Sequence, residues 1–207
     1  DDLDGNDKTI NATLSHPDVD IAKIFANNSA FAAVTSKGEV ITWGNGNFRV
    51  RKGHNLNISA ENKKLLESGV VDIASANDSF AALKEDGSVI TWGWNENVYQ
   101  DPIKYQTADT EGEDYGSSPV VQLLSSQQAY AALKEDGSVI TFGKENYGGN
   151  YLEGDYSAPP DSLVGVEKLY ASHRSFAALK NDGSVVSWGT INDTNVGGVS
   201  KGDQLTS

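Results

Sequence analysis

The sequence predicts a mainly β fold made of four repeated antiparallel units, and three observations support this prediction. A run of about 14 residues occurs four times at intervals of roughly 50 residues, which is typical of a repeat architecture. Each copy places Lys-Gly or Asp-Gly between two short segments rich in β-branched and aromatic residues, which predicts a β-hairpin. A shorter apolar run precedes each copy and predicts further strand structure in every unit.

The four copies share an aromatic-Ala-Ala start, a glycine turn and an aromatic-Gly end. They begin at Phe31, Phe80, Tyr130 and Phe176, and they end at Gly44, Gly93, Gly143 and Gly189. The hairpin turns are predicted at residues 36–38, 85–87, 135–137 and 181–183. Because a tight hairpin turn demands a positive φ, we expect replacement of Gly87 or Gly137 by Val to destabilise the fold by about 1 kcal/mol or more.

Both faces of the predicted strands carry apolar or small residues. In the second unit Phe80 and Ala82 point to one face, and Ala81 and Leu83 point to the other. We therefore expect sheets that are covered on both sides, as propeller blades are when they stack against one another. The aromatic residues that recur at equivalent positions are predicted to pack in this core: Phe31, Trp43, Phe80, Trp92, Tyr130, Phe142, Phe176 and Trp188.

The units are interpreted as one domain with a short N-terminal extension. Residues 1–17 are assigned to a linker or first strand, and residues 18–207 to a single four-repeat β domain. The units span about 18–69, 70–119, 120–163 and 164–207, and we expect them to form a small or incomplete ring of propeller-like blades. Long loop insertions follow the first three hairpins, and about one short helix is predicted, at 60–67, between Ser59 as its cap and Gly69 as its stop.

The composition excludes several classes of site and partner. The chain of 207 residues carries 29 acidic and 16 basic side chains, and its formal net charge of −13 disfavours nucleic acids and anionic membranes as partners. It contains no cysteine, which excludes disulfides, thiolate nucleophiles and cysteine-based zinc sites. No apolar run is long enough for membrane insertion, and the absence of methionine leads us to expect a piece of a longer protein or a processed product.

The repeated phrase Ser-aromatic-Ala-Ala-Leu-Lys-x-Asp-Gly-Ser-Val-x-x-Trp-Gly resembles the repeat of the regulator-of-chromosome-condensation proteins. In that family, each repeat of about this length builds one blade of a β-propeller. The resemblance covers all four units but not the insertions, and the Gly-Gln-Leu-Gly stretch that follows Trp-Gly in the family is absent here. Since the family usually has seven blades, four units imply a compact relative or a partial ring.

A closer resemblance is to a module of very large calcium-dependent bacterial adhesins of the RTX type. The Ala-Ala-Leu-Lys-Glu-Asp-Gly-Ser-Val-Ile-Thr-Trp-Gly phrase with long insertions, the acidity and the lack of cysteine are similar to the peptide-binding domain of these adhesins. The resemblance implies an extracellular, monomeric module of a larger chain at the bacterial cell surface. It further implies calcium as cofactor, cell adhesion and biofilm formation as roles, and peptide or protein C-terminal ends on a host or neighbouring cell as partners.

Two acidic clusters are candidate calcium ligands, because calcium prefers several carboxylate and carbonyl oxygens from a short flexible loop. The denser cluster consists of Asp109, Glu111, Glu113 and Asp114, with a plain acidic loop as the alternative interpretation. Asp2 and Asp4 resemble the start of many calcium loops, with a solvated linker as the alternative.

Aromatic residues of the long insertions are candidate walls of a peptide groove. They are Trp94, Tyr99, Tyr147, Tyr151 and Tyr156. Tyrosine gives contact area at low entropic cost, although an ordinary surface loop explains the same composition. Arg174 is the cation expected to meet a ligand carboxylate, because its position in the turn before the repeat aromatic varies from unit to unit. These insertions leave from the aromatic-Gly end of a hairpin, so we expect binding there and not at the Asp-Gly tips.

The search for catalytic motifs favours a binding module over an enzyme. The chain contains no nucleophile elbow, P-loop, dinucleotide-binding glycine motif or His-Glu-x-x-His motif. The main interpretation is a calcium-dependent adhesin module for peptide ends. A propeller-like inhibitor or protein-partner module is the first alternative, and a polysaccharide-active enzyme, whose paired carboxylates have no fixed spacing, is the next.

Overall fold

The computed structural model of the chain describes residues 14–44, 64–93, 118–144, 147–149 and 163–189. Within these ranges the chain forms twelve strands in the order that the repeats predict. The strands are β1 Ile21–Ala26, β2 Ala30–Thr35, β3 Val40–Gly44, β4 Val70–Ser75, β5 Ser79–Lys84, β6 Val89–Gly93, β7 Val120–Ser125, β8 Ala129–Lys134, β9 Val139–Gly143, β10 Val166–Ala171, β11 Ser175–Lys180 and β12 Val185–Gly189.

Each unit is a three-stranded antiparallel meander, called a blade below. Blades 1 to 4 contain β1–β3, β4–β6, β7–β9 and β10–β12, each in sequential order. Every predicted hairpin is present, and its turn occupies the predicted residues 36–38, 85–87, 135–137 and 181–183. The glycines of these turns have φ between 75° and 82°, so the expected positive φ is confirmed.

Turn chemistry explains the charged hairpin tips of blades 2 to 4. In blade 3, for example, Asp136 Oδ1 accepts hydrogen bonds from the Ser138 backbone N–H at 2.9 Å and from the Ser138 hydroxyl at 2.6 Å. These bonds lower the pKa of Asp136, because they favour the ionised carboxylate. The same Asp–Ser pattern recurs at Asp86 and Asp182. These tips therefore stabilise the turns, as their sequence predicts.

The blades stack in chain order through three apolar layers. In each layer the aromatic face of one blade covers the small-residue face of the blade before it: Phe80 and Trp92 of blade 2, for example, share a core with Ala30 and Ala32 of blade 1. Equivalent layers join blades 2 and 3 and blades 3 and 4. In every blade the two repeat aromatics stack on each other, with ring centroids 5.0–5.5 Å apart. The predicted two-sided burial is confirmed for blades 2 and 3.

The two end blades depart from that prediction. Phe31 of blade 1 is 44% exposed, whereas its equivalents Phe80, Tyr130 and Phe176 are at most 1% exposed. The physical reason is position in the row, since no blade precedes blade 1 and none follows blade 4 among the described residues. The four blades thus form an open, incomplete ring.

Backbone hydrogen bonds also join each blade to the next at both ends of the strands. At one end the first residue of the first strand in blades 2 to 4 donates to the hairpin glycine of the preceding blade, as when Val70 N donates to the Gly38 carbonyl at 3.0 Å. At the other end the connection between first and second strands donates onward, as when Asn77 N donates to the Gln127 carbonyl at 2.8 Å. We call the first end the hairpin face and the second end the turn face.

Half of the predicted short helix, residues 60–63, lies outside the described residues. Residues 64 and 65 are helical, and the chain turns at 66–68 before Gly69, which has φ +72°. Leu66 is 2% exposed and packs in the layer between blades 1 and 2. No helix of the described part has the length and apolar character needed to cross a membrane.

Candidate binding site on the turn face

The turn face carries the connections between the first and second strands, at residues 27–29, 76–78, 126–128 and 172–174. It also carries the start of each loop that follows a third strand, because Gly93 pairs with Ser79 and Gly143 pairs with Ala129 at the beginning of the second strand. The expectation that these loops leave from the end opposite the Asp-Gly tips is therefore confirmed for the described residues.

The loop after blade 3 is bound closely to the turn face. Lys144 N donates to the Gln128 carbonyl at 2.9 Å, and the Ser126 hydroxyl donates to the Tyr147 carbonyl at 2.8 Å. The loop also reaches blade 4, since the Trp188 indole N–H donates to the Gly148 carbonyl at 3.0 Å. A Cβ at residue 148 would lie 2.7 Å from the Phe176 ring, so glycine is required for this approach.

Two cations share one aromatic ring at this place. The Arg174 guanidinium carbon lies 5.4 Å from the centroid of the Tyr147 ring, and Lys144 Nζ lies 5.8 Å from it. Both distances fall within the range of attraction between a cation and a ring face. The structure thus brings together Tyr147 and Arg174, which the sequence predicts as ligand-binding residues, and adds Lys144. Its signal in the sequence is its place directly after the Phe-Gly end of the third repeat.

The neighbouring side chains of the turn face differ in burial. The side-chain oxygens of Gln127 and Gln128 are buried and have no hydrogen-bond partner. His173 and Arg174 are exposed, and Lys144 and Tyr147 are half-buried. On blade 2, burial raises the pKa of the Asp78 carboxyl above its ordinary value. Among the described residues, the site at blades 3 and 4 carries the two cations Lys144 and Arg174, on a chain whose net charge is −13.

All other predicted site residues lie outside the described residues. These are the aromatic candidates Trp94, Tyr99, Tyr151 and Tyr156 and the calcium candidates Asp2, Asp4, Asp109, Glu111, Glu113 and Asp114. Within the described ranges, no three His, Asp or Glu side chains converge as a metal site would require. The calcium ligands stay a prediction from the sequence.

Comparisons with known proteins agree with the fold. No family model and no curated protein matches the chain. Yeast RCC1 (Prp20), in a crystal structure with Kap60, matches with 23% identity and a TM-score of 0.58, over 82% of this chain and 43% of that one. Human WBSCR16 matches with 22% identity and a TM-score of 0.56, over 83% and 48% of the two chains.

A separate structure of Prp20p from Saccharomyces cerevisiae, described with its binding to Gsp1p and histones, has 17% identity and a TM-score of 0.55 and covers 84% and 46% of the chains. This chain thus spans less than half of each of these proteins. At these identities the likeness shows the fold alone, which is that of stacked RCC1-like propeller blades. It agrees with the repeat resemblance, and the adhesin resemblance stays a prediction.

Proposed function

We propose that this chain is a non-catalytic, propeller-type module that binds a protein partner through its turn face. The observation that carries the proposal is the pair of cations, Lys144 and Arg174, on the ring of Tyr147. The group that these residues suit is a carboxylate of the partner, either an acidic side chain or a free C-terminal end. Such a ligand gains charge-assisted hydrogen bonds from the guanidinium and the ammonium.

Three features support a receptor for carboxylates at this place. Within the described residues, ion pairs join His16 to Asp18 and Lys23 to Asp72, and none involves Arg174 or Lys144. No acidic side chain of the described part therefore pairs with either charge. The backbone beneath them is held by the hydrogen bonds of the 147–149 loop, which lowers the entropy that binding costs. Arginine offers planar, bidentate recognition of a carboxylate, and lysine adds a point charge.

The finer proposal is a calcium-dependent adhesin module at an extracellular bacterial surface that recognises peptide C-termini. It rests on the sequence resemblance and on the acidic cluster at Asp109–Asp114, which belongs to a loop that begins at the turn face after Gly93. A calcium ion held by carboxylates with an open position would add attraction for a ligand carboxylate. The alternative is a module that binds a folded partner protein, which would use Lys144 and Arg174 without a calcium ion.

The test is a titration of the chain with a library of short peptides that have free C-termini, and with the same library amidated. We expect binding of the free peptides, and Arg174→Gln and Lys144→Gln should each weaken it by about tenfold or more, which corresponds to about 1.4 kcal/mol. Lys37→Gln, which removes an exposed cation from the hairpin face, is the matched control and should leave binding unchanged.

The outcomes separate the coarse proposal from the finer one. Loss of binding on amidation, together with a requirement for millimolar calcium, supports the adhesin interpretation. Equal binding of amidated peptides with internal Asp or Glu, and no effect of a chelator, supports a module for acidic partner surfaces. Binding that is equally strong in Arg174→Gln and Lys144→Gln contradicts the site.

A further inference from the structure

The two ends of the row of blades expose surfaces that are buried everywhere else in the row. We call the outer side of blade 1 the head face, defined by Ile24, Phe31 and Trp43. It is equivalent to the aromatic face that blades 2 to 4 bury against the blade before them. Ile24 is 63% exposed and Phe31 44%, whereas the equivalent Ile73 and Phe80 are 5% and 0% exposed. Neighbouring apolar side chains that stay exposed at the outside of a folded module indicate an interaction site.

The outer side of blade 4, the tail face, is the complementary small-residue surface. It is defined by Tyr170, Ala177, Leu179 and Val185. Its equivalents in blade 3, which include Ala131, Leu133 and Val139, are at most 4% exposed because blade 4 covers them. Tyr170 is 50% exposed, and the other three are half-buried. Apart from Tyr170, which aligns with Ala74 and Leu124, the tail face therefore carries the residue types that receive an aromatic face at the junctions within the chain.

The backbone hydrogen bonds between blades repeat the same complementarity. At the three internal junctions, the turn-face N–H of one blade donates to the carbonyl of the next. In the described part of the chain, no further blade meets the His173 N–H or the Asn28 carbonyl. On the hairpin face, the first-strand N–H donates to the glycine carbonyl of the preceding blade, which leaves the Ile21 N–H and the Gly183 carbonyl. Each leftover donor on one end matches a leftover acceptor on the other.

The surroundings of the hairpin glycines also differ between blade 4 and the other blades. A Cβ added at Gly38 or Gly87 would meet the backbone of the next blade within 3 Å, and one at Gly137 would approach it at 3.3 Å. A Cβ at Gly183 meets nothing within 4 Å, and this glycine is exposed where the other three are buried. Among the described residues, no further blade covers the turn of blade 4, although its glycine has the same positive φ as the other three.

We propose that the head face of one copy of this chain docks on the tail face of a second copy, at two equivalent junctions, to close an eight-bladed ring of two chains. The occupant is a second copy because this chain carries both halves of the junction, and the three internal junctions show how they fit. Eight blades lie within the range of about four to eight known for propellers. A head-to-tail contact of this kind closes into a ring when its rotation permits. This proposal replaces the monomeric module expected from the sequence.

One pair of charges opposes the junction and provides a sharper test. Within the chain, Lys23 Nζ of blade 1 reaches across to Asp72 of blade 2 at 3.1 Å. The equivalent residue of blade 4 is Lys168, so a second copy brings Lys168 towards Lys23. Replacement of Lys168 by Glu should therefore tighten association between copies, since it exchanges a repulsion for an attraction.

The experiment measures the mass of the chain by light scattering and sedimentation between about 1 µM and 1 mM. We expect a dimer of the 22.1 kDa chain at the upper concentrations. Ile24→Glu blocks the head face and Tyr170→Glu blocks the tail face, and each should weaken the dimer at least 100-fold. Both positions are half exposed or more, so both variants should keep the fold, which circular dichroism checks. Val121→Glu, at a 54% exposed valine outside both faces, is the matched control and should remain dimeric.

Mixing the two blocked variants distinguishes head-to-tail docking from any other association. Each variant retains one intact face, so the mixture should form a one-to-one heterodimer through one native junction, whereas each variant alone stays monomeric. A wild-type chain that is monomeric at every concentration would overturn the proposal and leave other blades or another protein as the occupant of these faces. Growth beyond two copies, or a mixture that stays monomeric, would also contradict it.

Discussion

The hairpin glycines allow a graded test of how the blades are stacked. Gly87, Gly137 and Gly183 have φ of 78°, 78° and 82°, so replacement by Ala costs each about 1–2 kcal/mol of backbone strain. Their surroundings differ: a Cβ at Gly87 would overlap the side chain of Pro119 and lie 2.8 Å from Val120 N, and one at Gly137 would lie 3.3 Å from its nearest neighbours. A Cβ at Gly183 meets nothing within 4 Å. All three variants therefore have backbone strain, but only those at Gly87 and Gly137 also bring a Cβ against the next blade.

We therefore expect Gly87→Ala to destabilise the chain by about 2–5 kcal/mol, the sum of strain and forced backbone shifts at the junction, and Gly183→Ala by about 1–2 kcal/mol. Gly137→Ala should fall between them. Free energies of unfolding from urea titrations measure this series. Each variant also carries Ile24→Glu, which blocks docking of a second copy. The measured free energies of unfolding then report only contacts within one chain. Equal destabilisation by Gly87→Ala and Gly183→Ala would show that blade 3 does not pack against the turn of blade 2.

Tyr130→Phe should lower the free energy of unfolding by about 1–3 kcal/mol, because it leaves the buried Ser79 hydroxyl without its partner at 2.7 Å. Adding Ser79→Ala to this variant should recover most of the lost stability. A double-mutant cycle in urea measures both effects. Hydrogen bonds from Ser138 hold the pKa of Asp136 below its ordinary value, so the stability that Asp136 contributes is present above about pH 4 and is lost as the pH falls through the lowered pKa. In urea titrations at different pH, Asp136→Asn should reduce this loss of stability in acid, whereas Glu135→Gln should not. Identical pH profiles of the two variants would contradict the assignment. Chelation should lower the melting temperature and millimolar calcium should restore it, because an ion bound only by the folded state stabilises that state. An unchanged melting temperature would show that calcium does not stabilise the chain.

The sequence predicts the blades well because their determinants are local. An Asp-Gly turn between two short strands specifies a hairpin from a few neighbouring residues, and every such turn occurs where it is predicted. The stacking of blades also follows from the strands, since Phe80 and Leu83 lie on opposite faces and both are buried. Fourfold repetition makes each local signal visible four times.

The binding site and the ends of the row were harder to predict, because they depend on which segments meet in space. Tyr147 and Arg174 stand out in the sequence by composition and by variation, but Lys144 becomes a member only when its loop folds back on Gln128 and reaches Trp188. Likewise, Phe31 carries the same local pattern as Phe80, and only the absence of a preceding blade exposes it. The long insertions follow no repeated pattern, so sequence alone offers composition but no positions for their side chains.

The central claim is that the turn face, and not the hairpin face, meets the partner's carboxylate. The most direct measurement is the change in backbone amide chemical shifts when a free-carboxylate peptide that binds the chain is added. The account predicts that the largest shifts cluster at Lys144, Tyr147 and Arg174 and weaken in the Arg174→Gln variant. Shifts that cluster instead at the glycine turns around Gly87 and Gly137 would show that the ligand binds the opposite end of the blades.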